Sequence, residues 1–227
     1  MEAIVITSLS GRDLQEHSAL RDAMFHLRHR VFVQQRRWTL PSRPGNFDID
    51  QYDGPDAVYF TDVNEDGKIE AHVRLTPTLT HSLMADYFPH LMERDAPIRG
   101  ERIYEATRYI VLPARKSRTS NRAAKARLLG AMLEWALKNE LQFIQTVIDT
   151  ATFASFVEMT AETIPLGLSH EYGGGPSVVG GGQCMGIRWP VTNKVLQDVL
   201  AYGGLLETCE KARGGACRKT CAKAAAA

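Results

Sequence analysis

The stretch RIYEATRYIVLPARKSRTSNRAAKARLLGAMLEW, residues 102–135, decides the fold. Its first half has the composition of a strand. Ile103, Tyr104, Tyr109, Ile110, Val111 and Leu112 are β-branched, aromatic or apolar, and Pro113 closes the run. Residues 121–139 predict an amphipathic helix, with Leu128, Leu129, Met132, Leu133, Ala136 and Leu137 as its apolar stripe. Glu105 and Arg108 are out of place in a buried strand, because an unpaired buried charge costs several kcal/mol. Each needs a partner or a wet cleft. Their odd separation sends them to opposite faces of a regular strand, and a bulge would bring them together. The pattern therefore has two readings, a salt bridge internal to the fold or a ligand site where a strand runs into a helix N-terminus.

Outward from this stretch, 227 residues with 44% hydrophobic and 23% charged content suit one α/β domain, expected over residues 1–206, with a disordered tail over 207–227. A formal net charge of +1 offers nothing global to nucleic acid or membrane. The N-terminus lacks the basic start and long apolar run of a signal peptide, and no window is long enough for a membrane helix, so a cytoplasmic protein is expected. Of four cysteines, Cys209, Cys217 and Cys221 fall in the terminal region without a nearby histidine, which suggests reduced thiols on a frayed tail and no metal site.

In chain order, residues 3–9 read as a strand and 13–32 as a helix, with Leu20, Met24, Leu27 and Val31 at helical spacing. Arg28 and Phe32 share a face, where an arginine can clamp a carboxylate beside a packing ring. Residues 41–55 form a loop carrying Asp48, Asp50 and Asp53, whose spacing fits no calcium loop and suits a cationic ligand better. Residues 57–62 and 69–76 form a hairpin about an Asp-Gly turn, with Arg74 on the second strand. A short helix over 83–87, a strand over 143–149, a helix over 151–160, strands over 164–168 and 185–191, and a closing helix over 192–202 complete the order. HEYGGGPSVVGGGQC lacks the ending of a phosphate loop and reads as a mobile hairpin connection. The sum is a mixed sheet flanked by helices, a three-layer α-β-α sandwich.

Arg28, Phe32 and Trp38, then Asp50 and Asp53 in DIDQYD, Arg74 in RLTPT, and Glu105 and Arg108 in YEATRY match in type, order and spacing. This series resembles the acyl-homoserine-lactone synthases, the LuxI-type autoinducer synthases, across roughly residues 25–168. The chain departs from that pattern at Tyr104, where a tryptophan is usual, at Thr107, where a serine is usual, and at QQRRW before Trp38.

The resemblance implies an N-acyltransferase (GNAT-like) fold and a two-step reaction. The amine of S-adenosylmethionine attacks an acyl thioester, then its carboxylate displaces methylthioadenosine to close a lactone. Acyl carrier protein is the implied donor, with acyl-CoA as the alternative, and no cofactor is implied. Glu105 is the implied base, directly or through water, with Arg108 and Arg28 beside it. Arg28 is the first candidate to clamp the substrate carboxylate, with Arg108 or Arg74 sharing the role. Phe32 and Trp38 would wall the sulfonium. Asp50 and Asp53 would hold the amine or ribose, or lock the loop through Arg74 and Arg108. The acyl pocket is expected from Thr107, Met132, Thr146, Val147, Ile148, Thr150 and Phe153. Arg115, Lys116, Arg118, Arg122 and Lys125 would dock the carrier. The rival reading is another N-acyltransferase of this fold that uses acyl-CoA and a different amine.

Overall fold

The computed structural model describes residues 6–40, 44–93 and 98–206. Residues 3–5 of the expected first strand, part of the acidic loop, and the expected tail with its three cysteines lie outside them. Strands β1 (Ile6–Ser10), β2 (Val58–Val63), β3 (Ile69–Pro77) and β4 (Ile103–Val111) form an antiparallel series. Strand β5 (Phe143–Asp149) joins β4 in parallel. The far edge of the sheet is β6 (Ile164–Pro165), β7 (His170–Tyr172) and β8 (Gly182–Pro190), with β8 antiparallel to β5 and both short strands pairing with β8. The strand expected over 164–168 is only two residues long, and β7 was not anticipated.

Helices α1 (Ser18–Arg28) and α2 (Leu83–Tyr87) precede the central strand. Helices α3 (Arg118–Lys138), α4 (Phe153–Met159) and α5 (Asn193–Tyr202) follow it. Alternation sorts the sheet's side chains between two layers. Val58, Phe60, Val73, Leu75, Ile144, Ile187 and Trp189 join one core with Leu128, Met132 and Leu133 of α3. Tyr59 packs with Met24 and Phe25 of α1 in another cluster. The helix α3 starts at Arg118, three residues ahead of the expected 121, because the Ser117 hydroxyl accepts from the Ser120 amide as an N-cap. It buries Ala124, Ala126 and Gly130 as well as the expected Leu128, Leu129, Met132, Leu133 and Ala136, since it lies between the sheet and α5, and leaves Leu137 half-buried. A Cβ on Gly130 would stand 3.0 Å from Leu200 of α5.

The expected helix over 13–32 divides in three. A 3₁₀ turn at Asp13–Glu16 ends at His17, whose φ and ψ of −109° and 54° are not helical. After α1 the chain widens into a π-helical turn, His29–Gln35. Its long-range bonds run from Arg36 N to Val31 O and from Trp38 N to Phe32 O, 2.9 Å each. Such widened turns re-aim side chains near sites.

Two irregularities open the centre of the sheet. Between β3 and β4 the register shifts, His72 facing Ile110 but Arg74 facing Thr107. Arg108 takes the extra position with φ of 57°. The bulge decides the question left open by spacing. It puts Arg108 on the α1 side with Glu105, sends Ile110 to pack with Leu27 and Phe32, and turns Tyr109 to the α4 side against Phe156. A left-handed arginine costs about 1–2 kcal/mol, which its ion pairs offset. The second irregularity lies between β4 and β5. They pair only from Ile103–Phe143 to Glu105–Gln145, so the rest of both strands is free to line a cavity.

Candidate active site

Three arginines and three aspartates meet on the α1 side of this opening. Arg28 closes α1, Arg74 lies on β3 and Arg108 on the β4 bulge. The aspartates come from the loop before β2. Arg28 Nε donates to Asp48 at 3.2 Å, and its two terminal nitrogens reach both oxygens of Asp53 at 2.8 and 2.9 Å. Arg74 bonds Asp50 at 2.6 and 3.2 Å and lies 2.8 Å from Asp53. Arg108 bonds Asp48 at 2.6 and 3.0 Å and lies 2.9 Å from Asp50. Arg28 and Arg74 are wholly buried.

Charges this deep persist only when each is matched. Burial works against ionising Asp48, and the hydrogen bonds and charges of Arg108 and Arg28 outweigh it, so its carboxyl titrates below the ordinary range. Asp53 behaves likewise through Arg28 and Arg74. His72, buried and facing Arg28 and Arg74, is pushed down to about 3 and stays neutral. Bidentate Arg–carboxylate pairs also fix geometry. The network therefore ties the loop to the sheet and sets Asp50, Gln51 and Tyr52 at the rim of a cavity.

The placement of Arg28 differs from the expected one. Arg28 does not face the cavity as a carboxylate clamp, because Asp48 and Asp53 occupy its guanidinium. Asp53 faces Arg28, Arg74 and the Tyr59 hydroxyl, 3.0 Å away, the loop-locking arrangement that is one of its two expected roles, and Arg74 is enclosed by Asp50, Asp53 and Thr107. Asp48, noticed only as part of an acidic loop, joins Arg28 to Arg108. The run DIDQYD carried a usable signal, since three acids opposite three buried-strand or helix-end arginines balance in charge.

The cavity has a volume of about 880 Å³. On the loop side its wall is Phe32, Trp38, Asp50, Tyr52, Thr107 and Arg108. Phe32 and Trp38 stack at 5.0 Å, and Arg108 sits 5.3 Å over the Phe32 ring. Beyond the end of β4–β5 pairing the same cavity is mostly apolar, bounded by Leu129, Met132, Ile144, Ile148, Phe156 and Met159, with Thr146 and Val147. Of the expected acyl-pocket residues, Thr107, Met132, Thr146, Val147 and Ile148 line it. Thr150 and Phe153 do not. The chain turns at Thr150–Thr152 before α4, which places Ala151, Thr152, Ser155 and Phe156 on the wall instead.

Glu105 lies behind this wall, fully buried. One carboxylate oxygen accepts from Met84 N at 2.9 Å, at the start of α2, and among the described residues Oε2 is buried without a hydrogen bond within normal range. Burial raises its pKa from 4.5 to about 7, against the pull of the Met84, Ser82 and Leu83 donors and the charge of Arg74. A carboxyl poised near neutrality suits proton transfer at neutral pH.

The glycine-rich stretch also forms part of the site. Tyr172, Gly173, Val179 and Gly180 reach the cavity rim. The Tyr172 hydroxyl donates to Asp149 at 2.7 Å, Arg36 pairs with the same carboxylate, and the Tyr172 ring meets Trp38 edge-on at 6.3 Å. Gly180 has φ of +84°, and a Cβ there would stand 2.3 Å from the Arg37 carbonyl. Expected as a mobile connection, the stretch packs on the segment that carries Trp38. Its glycines permit that backbone contact, a role that residue types alone do not reveal.

The basic residues expected to dock a carrier have separate fates. Arg118 and Arg122 both pair with Glu158 of α4. Arg115 and Lys116 are exposed ahead of α3. Lys125 lines the cavity, with Nζ 2.8 Å from Ser155 Oγ. Among the described residues no cluster of histidine, cysteine, aspartate and glutamate has the makings of a metal site, and no helix is long and apolar enough to cross a membrane.

Residues 12–156 match the family described as autoinducer synthase. The chain is 30% identical over 168 residues to the isovaleryl-homoserine lactone synthase of Bradyrhizobium diazoefficiens, covering 72% of this chain and 73% of that protein. Among solved structures, the CoA-dependent acyl-homoserine lactone synthase MesI superposes with a TM-score of 0.73 at 27% identity, over 88% of this chain and 95% of that one. FeeM, an N-acyl amino acid synthase from uncultured soil microbes, shares the fold at 13% identity and a TM-score of 0.56, over 82% and 95% of the two chains.

Proposed function

The chain belongs to the autoinducer synthase family and is an acyl-homoserine-lactone synthase, and from that premise we propose how its residues share the work. The observation that carries the assignment is the single cavity that joins a charged, aromatic compartment to an apolar one where β4 and β5 part.

S-adenosylmethionine occupies the compartment of Phe32, Trp38, Asp50, Thr107 and Arg108. The stacked rings face the sulfonium, a cation–π contact, and Arg108 faces the substrate carboxylate. Arg28, Arg74, Asp48 and Asp53 act as positioning residues that hold Asp50 and Arg108 in place. The acyl chain lies along Met132, Thr146, Val147 and Ile148, its thioester carbonyl at the edge of β4 past Glu105. Free N–H groups on that edge supply hydrogen bonds to the developing oxyanion.

The substrate ammonium first loses a proton through water to Glu105, which lies behind the wall. The amine nitrogen then bonds to the acyl carbonyl carbon. The carbon–sulfur bond of the thioester breaks, and the thiolate leaves and takes up the second nitrogen proton. The substrate carboxylate next attacks its own γ-carbon, and the bond to the sulfonium breaks with its electron pair going to sulfur. Methylthioadenosine departs as a neutral molecule and the lactone closes. Holding the carboxylate over the γ-carbon supplies much of this second step.

Acyl-CoA is the donor we favour over acyl carrier protein. MesI is CoA-dependent, and Arg122, the less exposed of the two α3 arginines, is paired with Glu158. The test is to supply S-adenosylmethionine with one acyl group carried on CoA or on carrier protein. Lactone and methylthioadenosine should form in equal amounts, faster from the CoA thioester. Acyl transfer without methylthioadenosine release would refute the two-step scheme, and a faster carrier-protein reaction would refute the choice of donor.

A further inference from the structure

The acyl compartment is apolar but for a group of polar atoms that the chemistry above does not use. Lys125 sits on the wall two turns into α3, half-buried, with its ammonium 2.8 Å from the Ser155 hydroxyl of α4. Among the described residues no carboxylate pairs with it. Burial lowers its pKa, and repulsion from Arg122, another cation, lowers it further. From β4, Tyr109 lines the same compartment and packs on Phe156, the residue after Ser155. Among the described residues its hydroxyl is buried and has no hydrogen-bond partner.

Each of these groups is costly where it stands. A buried hydroxyl left without a hydrogen bond loses the solvation it had in water. A cation at an apolar wall without a counter-charge is penalised in the same way. An alkyl chain filling this space would deepen both losses, because it excludes water and offers no acceptor. A ligand with an oxygen at this end would relieve both. Tyr109 and Lys125 can each donate, and Ser155 can turn its hydroxyl either way.

We propose that the acyl group transferred by this enzyme carries an acceptor oxygen remote from its thioester, a hydroxyl or a carboxylate, which Lys125 and Tyr109 recognise. This rests on the synthase reading above and adds the chemical class of its acyl donor. An exposed lysine would be indifferent to the acyl group, whereas one on the compartment wall discriminates between acyl groups by the partner each provides. Rejection is the stronger half of that discrimination, since an apolar tail leaves polar atoms unpaired.

The test uses the whole chain with S-adenosylmethionine and octanoyl-CoA, ω-hydroxyoctanoyl-CoA and the CoA thioester of the chain ending in a carboxylate. Methylthioadenosine and lactone are followed for each. One of the two oxygenated donors should exceed octanoyl-CoA in kcat/KM by about tenfold or more, the worth of a charge-assisted hydrogen bond. Lys125→Met, close in volume, should cut that ratio at least about tenfold, and Tyr109→Phe should reduce it in the same direction. The proposal is overturned if the parent enzyme prefers octanoyl-CoA, or if Lys125→Met lowers every donor equally, which would place the ammonium on the CoA arm or in the fold. Turnover of any of the three donors shows the synthase reading intact. A protein that makes no lactone from any acyl donor would instead refute that reading and this inference with it.

Discussion

Replacing Asp53 by Asn removes one charge from the buried network and changes almost no volume. Asp53 accepts from both terminal nitrogens of Arg28, from the Tyr59 hydroxyl at 3.0 Å and from Asp50 N at 2.8 Å, and lies 2.8 Å from Arg74. An asparagine keeps one acceptor oxygen and turns an N–H₂ toward donors. Two wholly buried guanidiniums then share one carboxylate fewer. Breaking a buried pair in this way costs roughly 3–5 kcal/mol, a large part of the roughly 5–15 kcal/mol that holds a domain together. Urea unfolding followed by circular dichroism measures it. The midpoint should fall far below the parent's with the slope unchanged. The exposed pair Arg12–Asp56, 3.0 Å apart, is the control, and Asp56→Asn should change stability by less than about 1 kcal/mol. A loss under about 1 kcal/mol for Asp53→Asn would refute the claim that this network holds the loop to the sheet.

Other outcomes follow from the same structure. Asp48 and Asp53 have depressed folded pKa values, so their contribution is complete above the ordinary carboxylate range and disappears as pH falls through and below it; a pH series of unfolding midpoints should show this loss, reduced in Asp53→Asn. Glu105 has the opposite sign. Raised from 4.5 to about 7, it favours the fold while protonated and opposes it once ionised, so Glu105→Gln should gain up to about 3 kcal/mol at pH 8 and little at pH 4. The same variant should lose turnover more than substrate binding, and the fall of parent kcat/KM below about pH 7 should vanish in it. Gly180→Ala forces a left-handed alanine against the Arg37 carbonyl and should destabilise by more than about 1 kcal/mol, with a higher KM for S-adenosylmethionine from the disturbed Trp38 segment. Tyr172→Phe removes one bond to Asp149 and should raise KM with a smaller effect on kcat.

Much of this architecture is legible in the chain because periodicity and punctuation agree. Alternating strands, the Asp-Gly turn and the stripe of α3 each follow from local chemistry. What escaped depends on partners far away in sequence. The roles of Arg28 and Asp48 could not be told apart, since a buried arginine reads the same whether it clamps a substrate or holds an aspartate twenty residues away. The odd spacing of Glu105 and Arg108 left two answers, and only the bulge opposite Val73 chose between them. Thr150 and Phe153 fall off the cavity wall because a 3₁₀ turn rotates the start of α4 relative to the strand before it. Lys125 looked like one of a row of surface cations, and its inward course depends on α4 packing beside α3.

On the proposed mechanism a sulfonium amino acid and an acyl thioester meet in one cavity where β4 and β5 part. A crystal structure with S-adenosylmethionine bound measures it most directly. The sulfonium should lie against Phe32 and Trp38, the carboxylate should face Arg108, and the amino group should be directed through the gap between β4 and β5 toward Thr146. Density for the ligand on the α3–α4 side beside Lys125, or outside the cavity altogether, would contradict it.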